Sequence, residues 1–134
     1  MIQVSNKTST ELIASATIPF NIVSQDTNND TSYNSNTNSI EIQRGGYFNI
    51  SGSFVFAPSA SGDASIVMYV DGNSEPTAIS TFTTTEADQK ITFVIPSKII
   101  RTISNRSNDT VPISFVTSVA GTLLSANVTV VREV

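Results

Sequence analysis

The segment over residues 44–58, RGGYFNISGSFVFAP, constrains the fold of this chain more than any other stretch. Its apolar side chains alternate with polar ones, the apolar members being Phe48, Ile50, Phe54 and Phe56. A period of two residues is typical of a β-strand with one buried face. Pro58 closes the pattern, because proline lacks the N–H that a ladder needs and fits a strand end. We therefore predict a long central strand of an all-β domain.

Shorter alternating segments surround this central strand. Together they predict about eight to ten short strands separated by Gly, Pro, Asn and Asp, which is typical of a sandwich or barrel. No run with a helical period is present. The predicted strands include residues 11–18, with Leu12, Ala14, Ala16 and Ile18 on one face, and a last strand with Leu124, Ala126, Val128 and Val130 inward. Residues 64–70 are apolar on both faces, which predicts cover by a second sheet or by another subunit.

Composition excludes several classes of function. The 134 residues carry a net charge of −4, so nucleic acid and anionic membranes are not expected partners. Histidine and cysteine are both absent, which removes Ser-His-Asp triads, cysteine nucleophiles and ordinary zinc sites. Asp63 and Asp71 flank one predicted strand, and such a pair is a weak indication of a calcium site. Two carboxylates in solvated turns are the better interpretation. We expect no catalytic residues, no metal and no cofactor.

The polar segments divide between ends and loops. Residues 1–10 lack a core pattern and predict an arm that is flexible or serves for attachment, followed by a single domain over residues 11–134. Residues 24–39 predict a surface loop with one short edge strand near Tyr33. The alternative is that this loop and the turn after Asp71-Gly72 bind a ligand, with Tyr33, Asn34 and Asn73 as contacts. The N-terminus shows no secretory signal, and no window is long enough to span a membrane.

The order of motifs resembles that of the C1q/TNF-like jelly-roll domains. The resemblance is carried by NSIEIQRGGYFNISGSFVFAPSASGDASIVMYVDG, then KIIRTISN, then SANVTVVREV at the end. It is strongest for the domains of tailed-bacteriophage virion proteins and of prophage or spore-surface proteins of gut bacteria. The matching positions are Ile40, Ile42 and Gly46-Tyr47, the turn from Pro58 to Gly62, Asp71-Gly72, and the valines from Val128 to Val131.

This resemblance implies a fold of two antiparallel sheets and a tight homotrimer. It implies that the sheet with the first, central and last strands lines the trimer axis, with Ile13, Tyr47, Val55 and Val131 at the contact. The collagen-like Gly-X-Y stalk of C1q itself is absent from this chain. Direct attachment to a particle through residues 1–10 is therefore expected.

Two functions follow from these expectations, and a third is weaker. The first is a non-enzymatic virion protein, a trimeric head-fibre or decoration protein made in the bacterial cytoplasm and displayed on the virion surface. Its partners would be its own copies and capsid or other virion proteins. The alternative is a receptor- or glycan-binding tip that attaches the particle to a host surface glycan. A small glycan hydrolase is the least supported, because most carboxylates fall in predicted turns, where they bond their own backbone.

Overall fold

The computed structural model describes residues 1–25, 30–102 and 110–133. These ranges contain β-strands, turns and bends and no helix, so no helix in them is long and apolar enough to cross a membrane. The strands are β1 (Ile2–Asn6), β2 (Thr10–Leu12), β3 (Ile22–Gln25), β4 (Thr31–Asn34), β5 (Ser39–Ile42), β6 (Gly46–Pro58), β7 (Gly62–Val70), β8 (Asn73–Thr84), β9 (Ile91–Thr102), β10 (Val111–Thr117) and β11 (Gly121–Arg132).

The strands form two antiparallel sheets. The six-stranded sheet has the order β3-β1-β11-β6-β9, with β2 paired to β11, and the five-stranded sheet has the order β4-β5-β10-β7-β8. Consecutive strands often lie in different sheets, so most of the pairing is between distant segments. The prediction of an all-β, two-sheet sandwich without significant helix is confirmed.

The core lies between the two sheets, and β6 provides its centre. Phe48, Ile50, Phe54 and Phe56 are completely buried, as the alternation predicted. The ring centroids of Phe54 and Phe115, which lie on facing sheets, are 5.2 Å apart. Those of Phe56 and Phe93, on the neighbouring strand β9, are 6.3 Å apart. Burying such large side chains supplies the main driving force for folding.

The structure contradicts a flexible arm over residues 1–10, while an attachment role for this segment stays a prediction. Residues 2–6 form β1, which lies between β11 and β3 in the six-stranded sheet. Ile2 and Val4 are completely buried, and Ile2 pairs with Val130 at the other end of the chain. Two apolar residues make too short a pattern to detect, and the strand gains its stability from partners distant in sequence.

The strand predicted over residues 11–18 is also largely wrong. Strand β2 ends at Leu12, and Ser15 takes a left-handed conformation with φ of 65° that a strand does not allow. The backbone N–H of Ala16 donates to the carbonyl of Ile13 at 3.2 Å, which closes a tight turn. Leu12 and Ile18 are nevertheless buried, because the chain returns to the core after the turn.

The last strand contains a β-bulge that the sequence pattern did not reveal. Leu123 pairs with Phe56 and Ser125 pairs with Val55, so Leu124 is the extra residue. Leu123 is therefore buried, and the prediction that Leu124 points inward is wrong. Beyond the bulge the alternation returns, and Ala126, Val128 and Val130 are buried as predicted.

Two predictions about the five-stranded sheet have different outcomes. The short edge strand near Tyr33 is confirmed as β4. Strand β7 buries Ala64, Ile66 and Met68 against the other sheet, but its second face is only half-buried. That second face belongs to the outer surface of the five-stranded sheet. It therefore gives no support to a subunit contact on the six-stranded sheet, where the trimer axis was expected.

Candidate functional site

Tyr33, expected as a ligand contact, is part of the packing at the edge of the sandwich. Its ring packs edge-on against Phe20, with the centroids 6.0 Å apart. Its hydroxyl accepts a hydrogen bond from the backbone N–H of Phe20 at 3.0 Å and donates to Oδ1 of Asn38 at 3.1 Å. Burial raises the pKa of Tyr33, and the Phe20 hydrogen bond opposes the rise. The hydroxyl is therefore occupied by the chain's own groups.

The amides of Asn34 and Asn73 are occupied by their own turns. Asn34 donates to Glu41 Oε1 at 3.1 Å and accepts from the N–H of Asn36 at 2.9 Å. Asn73 donates to the carbonyl of Asp71 at 3.4 Å. Side chains used in this way are typical of turn residues.

These three residues also do not share one site. Tyr33 and Asn34 lie on β4 and Asn73 lies on β8, which are the opposite edges of the five-stranded sheet. At about 4.8 Å between neighbouring strands, the two edges are about 19 Å apart. A small ligand would contact one hairpin or the other.

The carboxylates in the described ranges do not form a catalytic or metal-binding group. No three acidic side chains there lie close enough to share a metal ion. Asp63 and Asp71 lie at the two ends of β7, roughly 26 Å apart at about 3.3 Å per residue. Asp63 instead accepts a hydrogen bond from the Thr83 hydroxyl.

Asp30 is the one charged side chain that is buried within the described residues. Its Oδ1 lies 3.3 Å from Arg44 Nε without an aligned hydrogen bond, and its Oδ2 lies 3.9 Å from Arg132 Nη1. Arg132 also donates to the carbonyl of Gly45 at 3.0 Å. This ion-pair cluster joins the segment before β4 to the β5–β6 turn and the end of β11, which is a structural role.

The four residues expected at a trimer contact lie along the six-stranded sheet but do not form one patch. Tyr47 and Val55 are on the outer face of β6, about 26 Å apart at 3.3 Å per residue. Val131 pairs with Asn49, near Tyr47, whereas the exposed Ile13 follows β2 at the opposite end of the sheet. Whether these residues touch a second copy stays a prediction.

An apolar patch occupies one end of this outer face. Val131, Asn49 and Ile99 form one row across β11, β6 and β9, and Tyr47 lies next to that row. Ile99 is 55% exposed and Tyr47 is 45% exposed. We call Tyr47, Ile99 and Val131 the apolar end of the six-stranded face.

The centre of the same face is polar and uncharged. Two neighbouring rows across β3, β1, β11 and β6 present side chains with hydroxyl or amide groups. The first row contains Ser24, Gln3, Thr129 and Ser51. The second row begins with the apolar Ile22 and continues with Ser5, Asn127 and Ser53. We call the seven polar residues the polar centre.

Sequence reasoning missed the polar centre. The outward positions Ser51 and Ser53 on β6 and Asn127 and Thr129 on β11 were visible as the polar half of each alternation. Their side-by-side register was not visible, and the contribution of Gln3 and Ser5 was lost because β1 was predicted to be an arm.

Comparison with known proteins gives a structural match alone. No family model and no curated protein matches the sequence. The structure titled "Structure of Eiger TNF from S. frugiperda" superposes with a TM-score of 0.74 at 10% sequence identity, covering 99% of this chain and 90% of that one. The fold is a TNF-like jelly roll. This confirms the expected fold, and at such low identity it shows the fold alone.

Proposed function

We propose that this chain is a non-enzymatic structural protein of a tailed bacteriophage, a head-fibre or decoration protein displayed as a homotrimer on the virion surface. The observation that carries the proposal is the TNF-like sandwich, which superposes over 99% of this chain. The phage context rests on the order of motifs in the sequence, from the Gly46-Tyr47 pair to the final valine strand.

The surface chemistry supports a structural role. The only buried carboxylate in the described ranges is paired with two arginines, so it does not form the pair of opposed carboxyl groups that glycoside hydrolysis requires. Few of the residues are charged, at 13%, and the outer surfaces carry many Ser, Thr and Asn side chains. Such a chain needs neither cofactor nor metal to assemble with copies of itself.

We propose that the trimer contact lies at the apolar end of the six-stranded face. Tyr47, Ile99 and Val131 lie around Asn49 there, and Arg101 is the cross-strand neighbour of Tyr47. A cyclic arrangement closes such a surface without open-ended growth. Capsid or other virion proteins are the proposed further partners, and residues 7–9, which are exposed after β1, are the proposed attachment point.

Light scattering tests the trimer. The wild-type chain should give about three times its mass of 14.3 kDa. Tyr47→Asp should give a folded species of one chain mass, because burying a carboxylate in an apolar contact costs free energy. Ile79→Asp is the matched control, since Ile79 is also 45% exposed but lies on the other sheet, and it should leave the trimer intact. A wild-type monomer at micromolar concentration would contradict the proposed assembly.

Electron microscopy tests the virion location. An antibody raised against the purified chain should label phage particles released from the producing strain. Label confined to the bacterial envelope would overturn the virion role while leaving the trimer to be judged by its own measurement.

A further inference from the structure

The outer face of the six-stranded sheet contains two hollows that meet at the polar centre. The first, of about 430 Å³, lies over β3, β1, β11 and β6, and the second, of about 270 Å³, lies over β11, β6 and β9. Ser53 and Asn127 line both, so the two hollows lie side by side across the strands, and we call them together the groove. The first hollow has a volume typical of small-molecule sites. At about 4.8 Å per strand the groove is about 19 Å long, which suits a chain of several sugar rings.

The lining of the groove is polar, and its hydroxyl groups lack partners. Gln3 Nε2 donates to Asn127 Oδ1 at 3.2 Å, and the N–H groups of Asn127 have no partner among the described residues. The hydroxyls of the polar centre and of Ser125 have no hydrogen-bond partner within the described residues, these being Ser5, Ser24, Ser51, Ser53, Ser125 and Thr129. Hydroxyl groups both donate and accept, and so do the hydroxyls of a sugar.

The charge of the groove selects among ligands. Lys7 is the only charged residue among those lining the two hollows. Phosphate, sulfate or carboxylate groups are usually held by clustered Arg or Lys side chains, which this lining does not offer. Apolar surface is present at both ends of the groove, from Ile22 on one side and Val94 and Pro96 on the other. A ligand with neutral hydroxyls and apolar C–H faces fits this arrangement.

The groove has the opposite pattern from a subunit interface. Protein interfaces have an apolar, desolvated centre and a polar rim. Here the polar centre lies between the apolar end, containing Tyr47, and the opposite end, containing Val55. Packing a second copy over it would bury unpartnered hydroxyls at a cost in free energy.

From these observations we infer that the polar centre is a binding groove for a neutral oligosaccharide, with Ser53 and Asn127 at its midpoint. This goes beyond the proposed structural role and lies away from the Tyr33 and Asn73 hairpins. A trimer in contact through the apolar end alone leaves the groove open, whereas a trimer packed over the whole face would close it.

The test begins with the unchanged protein. An array of immobilised neutral oligosaccharides, with uronic-acid and sialylated glycans beside them, should give binding to neutral members only. Titration of the strongest neutral ligand into isotopically labelled protein should shift the amide resonances of β1, β6 and β11. Shifts confined to the hairpins around Tyr33 or Asn73, preference for acidic glycans, or no binding to any neutral member would each overturn the inference.

Variants locate the site independently. Ser53→Trp places an indole at a residue that lines both hollows and should lower affinity at least about tenfold. Ser114→Trp is the matched control, since Ser114 lies on the outer face of β10 in the other sheet and should bind as wild type. Asn127→Leu removes the central amide and should also weaken binding.

Light scattering on the same samples separates this inference from the trimer. If Ser53→Trp binds normally, or if it dissociates the assembly, the polar centre is not an open groove and the inference fails. Binding by a monomer would leave the groove standing and remove the proposed assembly.

Discussion

The two faces of the six-stranded sheet are built from the same strands and differ completely in chemistry. On β6, the inner face carries four large apolar side chains that are fully buried, whereas the outer face carries Asn49, Ser51 and Ser53 between Tyr47 and Val55. The inner face has its partner within the chain, in the five-stranded sheet. Among the residues that the structure describes, none covers the outer face, so its side chains can serve contacts outside the chain. Inner residues should therefore control stability, and outer residues should control association and binding.

The largest expected effect on stability comes from deleting β1, which also has one buried and one outward face. Deleting residues 1–6 removes Ile2 and Val4 from the core and should lower the free energy of unfolding by about 3–6 kcal/mol, at roughly 1.5–3 kcal/mol for each buried side chain. Chemical denaturation would measure it. The double variant Gln3→Ala and Ser5→Ala changes only outward positions and should remain near wild type. A truncated protein of unchanged stability would show that β1 contributes nothing to the core.

Phe54→Ala compares the two faces at adjacent positions. Phe54 is completely buried and packs against Phe115, so truncation should cost about 3–5 kcal/mol. Ser53→Ala, one residue earlier and facing outward, should change stability by less than about 0.5 kcal/mol. Equal losses for the two variants in denaturant titration would mean that the outer face is also part of a packed core.

A smaller effect is expected at the sandwich edge, where Tyr33 satisfies the backbone of Phe20. Tyr33→Phe should cost about 1 kcal/mol by removing this hydrogen bond. Because burial raises the folded-state pKa of Tyr33, its stabilising contribution is complete below its ordinary pKa of about 10. It is lost as pH rises through the raised folded value.

Thermal melts between neutral and strongly alkaline pH would measure that loss. Wild type should lose more stability than Tyr33→Phe above pH 10 or so, because the variant has no hydroxyl to ionise there. Tyr47→Phe, at an exposed tyrosine, should follow wild type. Parallel alkaline curves for wild type and Tyr33→Phe would contradict the buried role of Tyr33.

The sequence by itself determined the class of fold and the centre of the core. The alternation around Phe48 and Phe56 depends only on the two-residue period of a strand and on the exclusion of apolar groups from water, and both act locally. The same reasoning predicts the last inward face from Ala126 to Val130.

Tertiary structure alone decided the role of the N-terminal strand, the register shift at Leu124 and the place of the polar centre. Strand β1 exists because β11 and β3 lie on either side of it, and Ile2 meets Val130 only after the whole chain has folded. The bulge at Leu124 reverses which leucine is buried without changing the sequence pattern around it. The polar centre arises from Gln3, Ser53 and Asn127 on three strands, and their neighbourhood depends on pairing between distant segments.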